Sequence, residues 1–294
     1  MPKVAVMTDR VAGIPQDLAE QYHIKVIPAA NIIFDGHSYI EGETLSATEA
    51  YELIKKDPDK FTTSALTPGH ILDEYRELSK KVPAILHITL SAALSANFKT
   101  ASLAKDMLQQ ESPQTRLIVY DSKTVAGAQG LIVLAAAQAA AQGMDLDQVA
   151  SIAEQVRQKT KGFMMLDTLR YIYRTGRMSK TASRVAALFN IKPINQVTEG
   201  GTVEFVDRVR NRESGYHKLI DLINKEAGAE PLYFMVMHAA APEMAARFAE
   251  LLKQHFNCRE VIISEYSPVM GYGAGPGAIF VGFHPELDLF PQAK

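Results

Sequence analysis

Small hydroxyl and acidic residues recur where apolar runs give way to helix-like stretches. One run ends in Thr8-Asp9, a second in Thr89-Leu90-Ser91 with Leu94-Ser95-Ala96-Asn97 close behind, and a third in Asp121-Ser122. In open parallel sheets, ligands settle beyond the carboxyl ends of the strands, where helix N-termini present unpaired N–H groups. A helix starting near Ser95 offers a hydroxyl and several amide donors without a formal positive charge, which suits a carboxylate or a phosphate. A lone Ser at a helix start is ordinarily an N-cap. Two further polar strand ends bring the anion-site reading level with that one. Thr62-Thr63-Ser64 and Thr67 put more hydroxyls in one loop ahead of Pro68, either reaching over the same crevice or serving as turn and cap.

Other chemistry is sparse. Gly271-Tyr272-Gly273-Ala274-Gly275-Pro276-Gly277 does not fit G-x-G-x-x-G, and a strand-like segment follows it where a dinucleotide loop would open a helix. It reads as a loop of close backbone approach. No phosphate-loop, zinc-protease or nucleophile-elbow motif occurs, and the 8 His residues lack metal-ligand spacing. No cofactor or metal is expected. His238, at the end of an apolar run, either faces the crevice or is a satisfied structural residue. Gly176-Arg177 and the pair Arg208 and Arg210 are the candidate cationic contacts, for a partner or for solvent.

The elements that must position these residues alternate in the first half of the chain. Strands are predicted at Val4 to Met7, Lys25 to Pro28, Ala84 to Leu90 and Leu117 to Tyr120, separated by helical stretches: the signature of a parallel sheet with crossover helices. Helices are predicted after Pro15, after a capping box at Ser46 and Glu49, after Pro68, from Leu94 to Gln109, from Gly127 to Gln142 and from Leu146 to Lys159. Asn31 to Ile40, with Asp35-Gly36 in the middle, reads as a hairpin or an extended excursion. From Phe163 a second pattern begins, with helices near Thr168 to Arg174 and Lys180 to Phe189, and strands at Ile194 to Thr198 and Val203 to Arg210. A helix from Glu213 to Lys225, a strand from Leu232 to Met237, a helix from Pro242, and strands at Glu260 to Ser264 and Ala278 to Phe283 follow. The hairpin signal at Glu199-Gly200-Gly201 makes this second sheet mixed. The expectation is an α/β protein of two domains: residues 1–160 with a parallel sheet between helix layers, carrying the candidate anion site, and residues 161–294 with a mixed sheet.

Composition limits the function. The 294 residues, 47% of them hydrophobic, supply the core of two domains. With 31 Lys and Arg against 33 Asp and Glu, no basic field invites nucleic acid. The single Cys258 excludes an internal disulfide and fits a reducing compartment. The segment Met1 to Asp9 meets an acid after too few apolar residues for a signal peptide, and the apolar stretch Leu131 to Ala141 is too short to span a membrane and reads as a buried helix. A cytoplasmic protein without a membrane span is expected.

Several segments together resemble, in order, the DegV family of bacterial fatty-acid-binding proteins, which includes the lipid-carrying subunits of fatty acid kinase. They are Thr8-Asp9, Thr63-Ser64 before Thr67-Pro68, Ser91 with Leu94-Ser95, Asp121-Ser122-Lys123, Leu166-Asp167-Thr168-Leu169, Gly176-Arg177, Ile191-Lys192-Pro193-Ile194, Arg208 with Arg210, His238 and Gly275-Pro276-Gly277-Ala278. The resemblance implies a non-enzymatic lipid carrier that holds one long-chain fatty acid, its tail enclosed in the second domain and its carboxylate at the domain junction. By position, Thr63, Ser95 and the N–H near Ala96 would bind the carboxylate. Ser64, Asn97, Gly275 and Gly277 would shape the head-group loops, and Gly176, Arg177, Arg208 and Arg210 would meet a kinase subunit.

The chain departs from the family pattern at four places. Ala96-Asn97 replaces the usual Gly-Thr, Gly273 replaces the expected His, Arg10-Val11 replaces Ser-Ser, and Thr175 stands in the double Gly before Arg177. Lipid binding survives these changes more easily than phosphorylation does. Phe163, Met164, Met165, Leu188, Phe189, Ile191, Phe234 and Ile279 offer apolar lining, and each is equally explicable as core. Two rival readings stand beside the carrier. One is an enzyme acting on a small phosphorylated or hydroxylated metabolite through Asp9 or Asp121, which requires a polar crevice with a perturbed carboxylate. The other is a nucleotide-binding regulator.

Overall fold

The computed structural model describes residues 3–177 and 191–289. Strand β1 (Val4–Asp9) is buried along its whole length, as a strand covered on both faces must be, and β2 (Lys25–Ile27) pairs parallel beside it. Between them lies helix α1 (Gln16–Gln21). The chain then leaves this sheet for a separate antiparallel one of β3 (Asn31–Phe34), β4 (His37–Ile40) and β5 (Phe61–Ser64), in the order β4-β3-β5. Helix α2 (Ala47–Lys56) opens on the expected capping box, with the Ser46 hydroxyl accepting the Glu49 N–H and the Glu49 carboxylate accepting the Ser46 N–H. Helix α3 (Pro68–Ser79) starts on its proline with Thr67 as N-cap. Strand β6 (Ala84–Thr89), helix α4 (Asn97–Glu111) and strand β7 (Arg116–Asp121) complete a parallel sheet of order β2-β1-β6-β7.

Helix α5 (Ala126–Ala141) has apolar residues around its entire circumference and is buried nearly throughout, as expected of its apolar second half. It packs against β1 and β6 on one side. On the other it meets strands of the second sheet, which α6 (Leu146–Lys159) precedes. That sheet comprises β8 (Lys161–Met165), β9 (Lys192–Val197), β10 (Val203–Val209), β11 (Leu232–His238), β12 (Cys258–Glu265) and β13 (Ile279–Pro285), in the order β10-β9-β8-β13-β11-β12. Only the β11–β12 pair is parallel, so the sheet is mixed, as the sequence implied. Glycines let α5 approach closely. A Cβ on Gly130 would fall 2.5 Å from the Ala12 carbonyl oxygen, and one on Gly282 of β13 would fall 2.6 Å from the Gly127 carbonyl carbon. Helices α7 (Arg170–Thr175), α8 (Arg212–Glu226), α9 (Pro242–His255) and α10 (Pro268–Ala274) complete the chain.

Three sequence expectations change. Thr62-Thr63-Ser64, read as the start of a loop, belong to strand β5, whose Phe61 is buried opposite Phe34 of β3; the hydroxyl residues mask a two-residue alternation. The glycine-rich segment is not simply a loop, because Pro268 starts a helix that runs through Gly273 and stops at Gly275, whose φ of +81° a side chain would strain. The close approach expected there holds, since a Cβ on Gly271 would fall 2.5 Å from the Tyr51 hydroxyl. The helix expected from Leu94 begins at Asn97, after a turn in which the Leu94 and Ser95 amides donate to the Ser91 carbonyl. The helix expected at Lys180 to Phe189, with Leu188 and Phe189 as lining, lies outside the described residues.

Candidate functional site

The carboxyl ends of β1 and β6 and the start of α4 converge as their polarity suggested. Asp9 is fully buried there. One carboxylate oxygen accepts the Leu90 N–H at 3.0 Å, and the other accepts the Val11 N–H at 3.1 Å and the Gln129 amide at 3.3 Å. Burial pushes its pKa up to about 6, although these donors pull the other way. The carboxylate holds together the loops after β1 and β6 and helix α5. Asp121 does similar work, accepting the Ala92 and Lys123 N–H groups on one oxygen at 3.1 and 2.9 Å.

Above these loops lies a cavity of about 220 Å³, bounded by the β5 edge, the β6–α4 turn, α7, α10 and one face of the second sheet. Thr63, Ser64, Ser95, Ala96 and Asn97 gather at one end. The Ser95 hydroxyl oxygen accepts the Asn97 N–H at 3.2 Å, which leaves its proton to donate. In this first turn the N–H groups of Ala96 and Phe98 have no partner among the described residues. Asn97 is buried and spends its side-chain amide on the Ala29 carbonyl at 3.0 Å, so it fixes the wall and does not point a donor at a ligand.

The remaining lining is apolar, with Val11, Leu90, Val125, Met164, Val203 and Val269 among it. Among the described residues the lining contains no carboxylate and no imidazole. The perturbed carboxylate that an enzyme would need is present in Asp9, but both its oxygens face the protein's own donors and it does not line the cavity. His238 is buried; its Nδ1 accepts the Ala241 N–H at 3.3 Å, and burial lowers its pKa, so it anchors a turn. No group of His, Cys, Asp or Glu among the described residues is placed to hold a metal.

Arg177 lines the cavity while remaining exposed, donating to the Thr175 carbonyl at 3.0 Å and the Leu94 carbonyl at 3.4 Å. The cavity therefore has a cation at its rim beside Leu94. Gly176, the left-handed C-cap of α7, is exposed next to it. Arg208 and Arg210 are exposed at the end of β10 and do not line the cavity. Neither do Gly275 and Gly277. Tyr171 packs against Gly275, and a Cβ on Gly277 would fall 3.2 Å from the carboxyl carbon of Asp167, which holds Lys192 and Arg212.

Strand parity corrects the lining expected from sequence. Met164 faces the cavity, whereas Phe163, Met165, Phe234 and Ile279 turn to the opposite face of the sheet and pack with residues of α8 and α9. Several wall residues gave no local signal, because Ala29, Ile172, Val203 and the pair Met270 and Tyr272 come from four separate segments. A second cleft, of about 430 Å³, opens beside β8 and β9, but Lys123, Arg157, Lys161, Glu199 and Glu226 line it, a mixed-charge surface unsuited to hydrocarbon.

Comparisons agree with this fold. The family model described as "Uncharacterised protein, DegV family" matches residues 3–286. A DegV domain-containing protein of Caldanaerobacter subterraneus is 30% identical over 288 residues, 97% of this chain and 100% of that one. The crystal structure of DegV of Bacillus subtilis, described as a fatty acid binding protein, superposes with a TM-score of 0.84 at 27% identity, covering 97% of this chain and 100% of that one. A DegV family protein of Eubacterium eligens, loaded with heptadecanoic acid, has a TM-score of 0.85 at 20% identity over 96% of this chain and 100% of that one; at that identity the likeness concerns the fold alone. With the family model spanning nearly the whole length and relatives matching from end to end, the chain belongs to the DegV family.

Proposed function

We propose that this protein binds one long-chain fatty acid and acts as a cytoplasmic lipid carrier. The carboxylate is hydrogen-bonded by the Thr63 and Ser95 hydroxyls and the Ala96 N–H, with Ser64 and Asn97 shaping the surrounding loops, while Gly275 and Gly277 pack against Tyr171 and Asp167 outside the lining. The head group belongs to residues 1–160, and the tail runs along the sheet face of residues 161–294. The observation that carries this reading is a mostly apolar cavity, free of acids among its described lining, whose wall includes neutral donors at a helix start. Hydrocarbon burial supplies the driving force. At roughly 0.8 kcal/mol per CH₂, a sixteen-carbon tail contributes on the order of 10 kcal/mol before the costs of association. A few hydroxyls then suffice to orient the head.

As a carrier, the protein presents the head group to a kinase subunit across the exposed surface of Gly176, Arg177, Arg208 and Arg210. The B. subtilis relative's description as fatty acid binding supports the ligand class. Mass spectrometry of an organic extract from freshly purified, denatured protein tests the reading. A stoichiometric long-chain fatty acid is expected; a protein that carries none and takes up none from vesicles refutes it.

A further inference from the structure

The wall residue Ala29 is held on both sides of its backbone by side chains from other segments. Its N–H donates to Oε2 of Glu41 at 2.9 Å, and its carbonyl accepts the Asn97 side-chain amide at 3.0 Å. The other Glu41 oxygen, Oε1, accepts the Val269 N–H of α10 at 3.3 Å. Glu41, Ala29 and Asn97 are all buried; Ala29 and Val269 line the cavity, and Glu41 does not. A buried carboxyl group is costly unless donors meet its oxygens, and here both oxygens are spent on backbone amides of the cavity wall. Glu41 therefore acts on a ligand only through that wall.

These bonds join the two hydroxyls proposed as the carboxylate anchor. Glu41 directly follows β4, in the small antiparallel sheet whose strand β5 carries Thr63, and Thr63 pairs with Ile32 of β3 shortly after Ala29. Asn97 opens α4, and its own N–H donates to the Ser95 hydroxyl at 3.2 Å. The path from the sheet that carries Thr63 to the turn that carries Ser95 thus runs from Glu41 through the Ala29 peptide to Asn97. Two hydroxyls serve one carboxylate only when both stand within hydrogen-bond distance of it, so an error in their spacing is felt by a charged head group and not by a hydrocarbon tail.

We infer that Glu41 is a positioning residue for the head-group site: through the Ala29 peptide and Asn97 it fixes the Ser95 turn against the sheet that carries Thr63, and so sets the preference for a free carboxylate over an uncharged head. The inference rests on the carrier reading above and adds to it a residue that acts from behind the wall.

The test reads the ratio of Kd for methyl palmitate to Kd for palmitate, each measured by displacement of a fluorescent fatty acid from the full-length protein. Both ligands carry the same chain, so effects on the tail divide out. Glu41→Ala is expected to lower the ratio about three- to tenfold, the range of one hydrogen bond, and Asn97→Ala to lower it by a similar factor. The two links lie in series, so the double variant should match the more affected single variant within about twofold. An unchanged ratio in a folded Glu41→Ala protein overturns the inference, because a contact that only stabilises the wall weakens acid and ester alike. Losses that multiply in the double variant overturn it as well. If Glu41→Ala does not fold, Asn97→Ala, which leaves the Glu41 bonds in place, carries the test, and an unchanged ratio there overturns the inference. A parent protein that binds neither ligand overturns the carrier reading itself, a different result from a lost preference.

Discussion

Replacing Thr63 and Ser95 together by Ala removes both hydroxyls proposed to hold the carboxylate and leaves the apolar walls intact. A hydrogen bond to a charged group is worth roughly 1.5–3 kcal/mol. Both side chains are half-buried, so water competes and the lower end applies, about 3 kcal/mol for the pair. At about 1.4 kcal/mol per tenfold, Kd should rise roughly 100-fold. Binding should weaken without vanishing, because the tail's share, on the order of 10 kcal/mol before association costs, is untouched. The fold should also survive, since within the structure Ser95 supports only the Asn97 N–H, which water can reach once the hydroxyl is gone. Displacement of a fluorescent fatty acid measures the change, and the methyl ester of the same acid supplies a control: it lacks the charge, so parent and double variant should bind it within a few-fold of each other. A Kd shift below about threefold, in a variant that melts close to its parent, refutes the anchor.

Three further outcomes follow from geometry already described. Burial holds Asp9 at about 6 against 3.8 for the free side chain. Between those values the native chain keeps a proton that the unfolded chain has lost, so this group favours folding as pH falls from about 7 to 4, by on the order of 3 kcal/mol, and the gain disappears as pH rises through 6. The urea stability of the parent relative to Asp9→Asn should therefore decline with rising pH across that window; a flat difference contradicts the buried-carboxylate assignment. Met164→Trp, which fills the cavity, should weaken fatty-acid binding at least tenfold, while Met165→Leu on the other face should leave it within about twofold; displacement assays with equal effects from both would reject the parity. Gly282→Ala pushes a methyl into the α5 backbone and should destabilise by about 2–3 kcal/mol or more in urea titrations, with a neutral result excluding the close crossing.

Much of this was legible in the chain because the signals were local. The Ser46–Glu49 box, Pro68 at a first helical turn, and the span Leu146 to Lys159 each carry their own start or period, and the structure places elements there. The convergence of Thr8-Asp9 with the β6–α4 turn was readable for a different reason: parallel sheets put successive strand ends on one edge. What remained hidden depends on partners distant in sequence. Nothing within Phe61-Thr62-Thr63-Ser64 declares a strand until Phe61 finds Phe34, and nothing in Met164 distinguishes it from Met165 until the two faces of β8 have different neighbours. Arg177 was visible as a cation, but its position at the cavity rim follows from the turn that brings it to the Leu94 carbonyl.

Helix α5 makes main-chain approaches on both sides, at Gly130 to Ala12 in the turn after β1 and at Gly282 of the second sheet. Rocking the two sheets apart would break those close approaches. On the carrier reading proposed above, a ligand would enter instead at the seam where Glu41 bonds the Ala29 and Val269 amides and ties the small antiparallel sheet to α10.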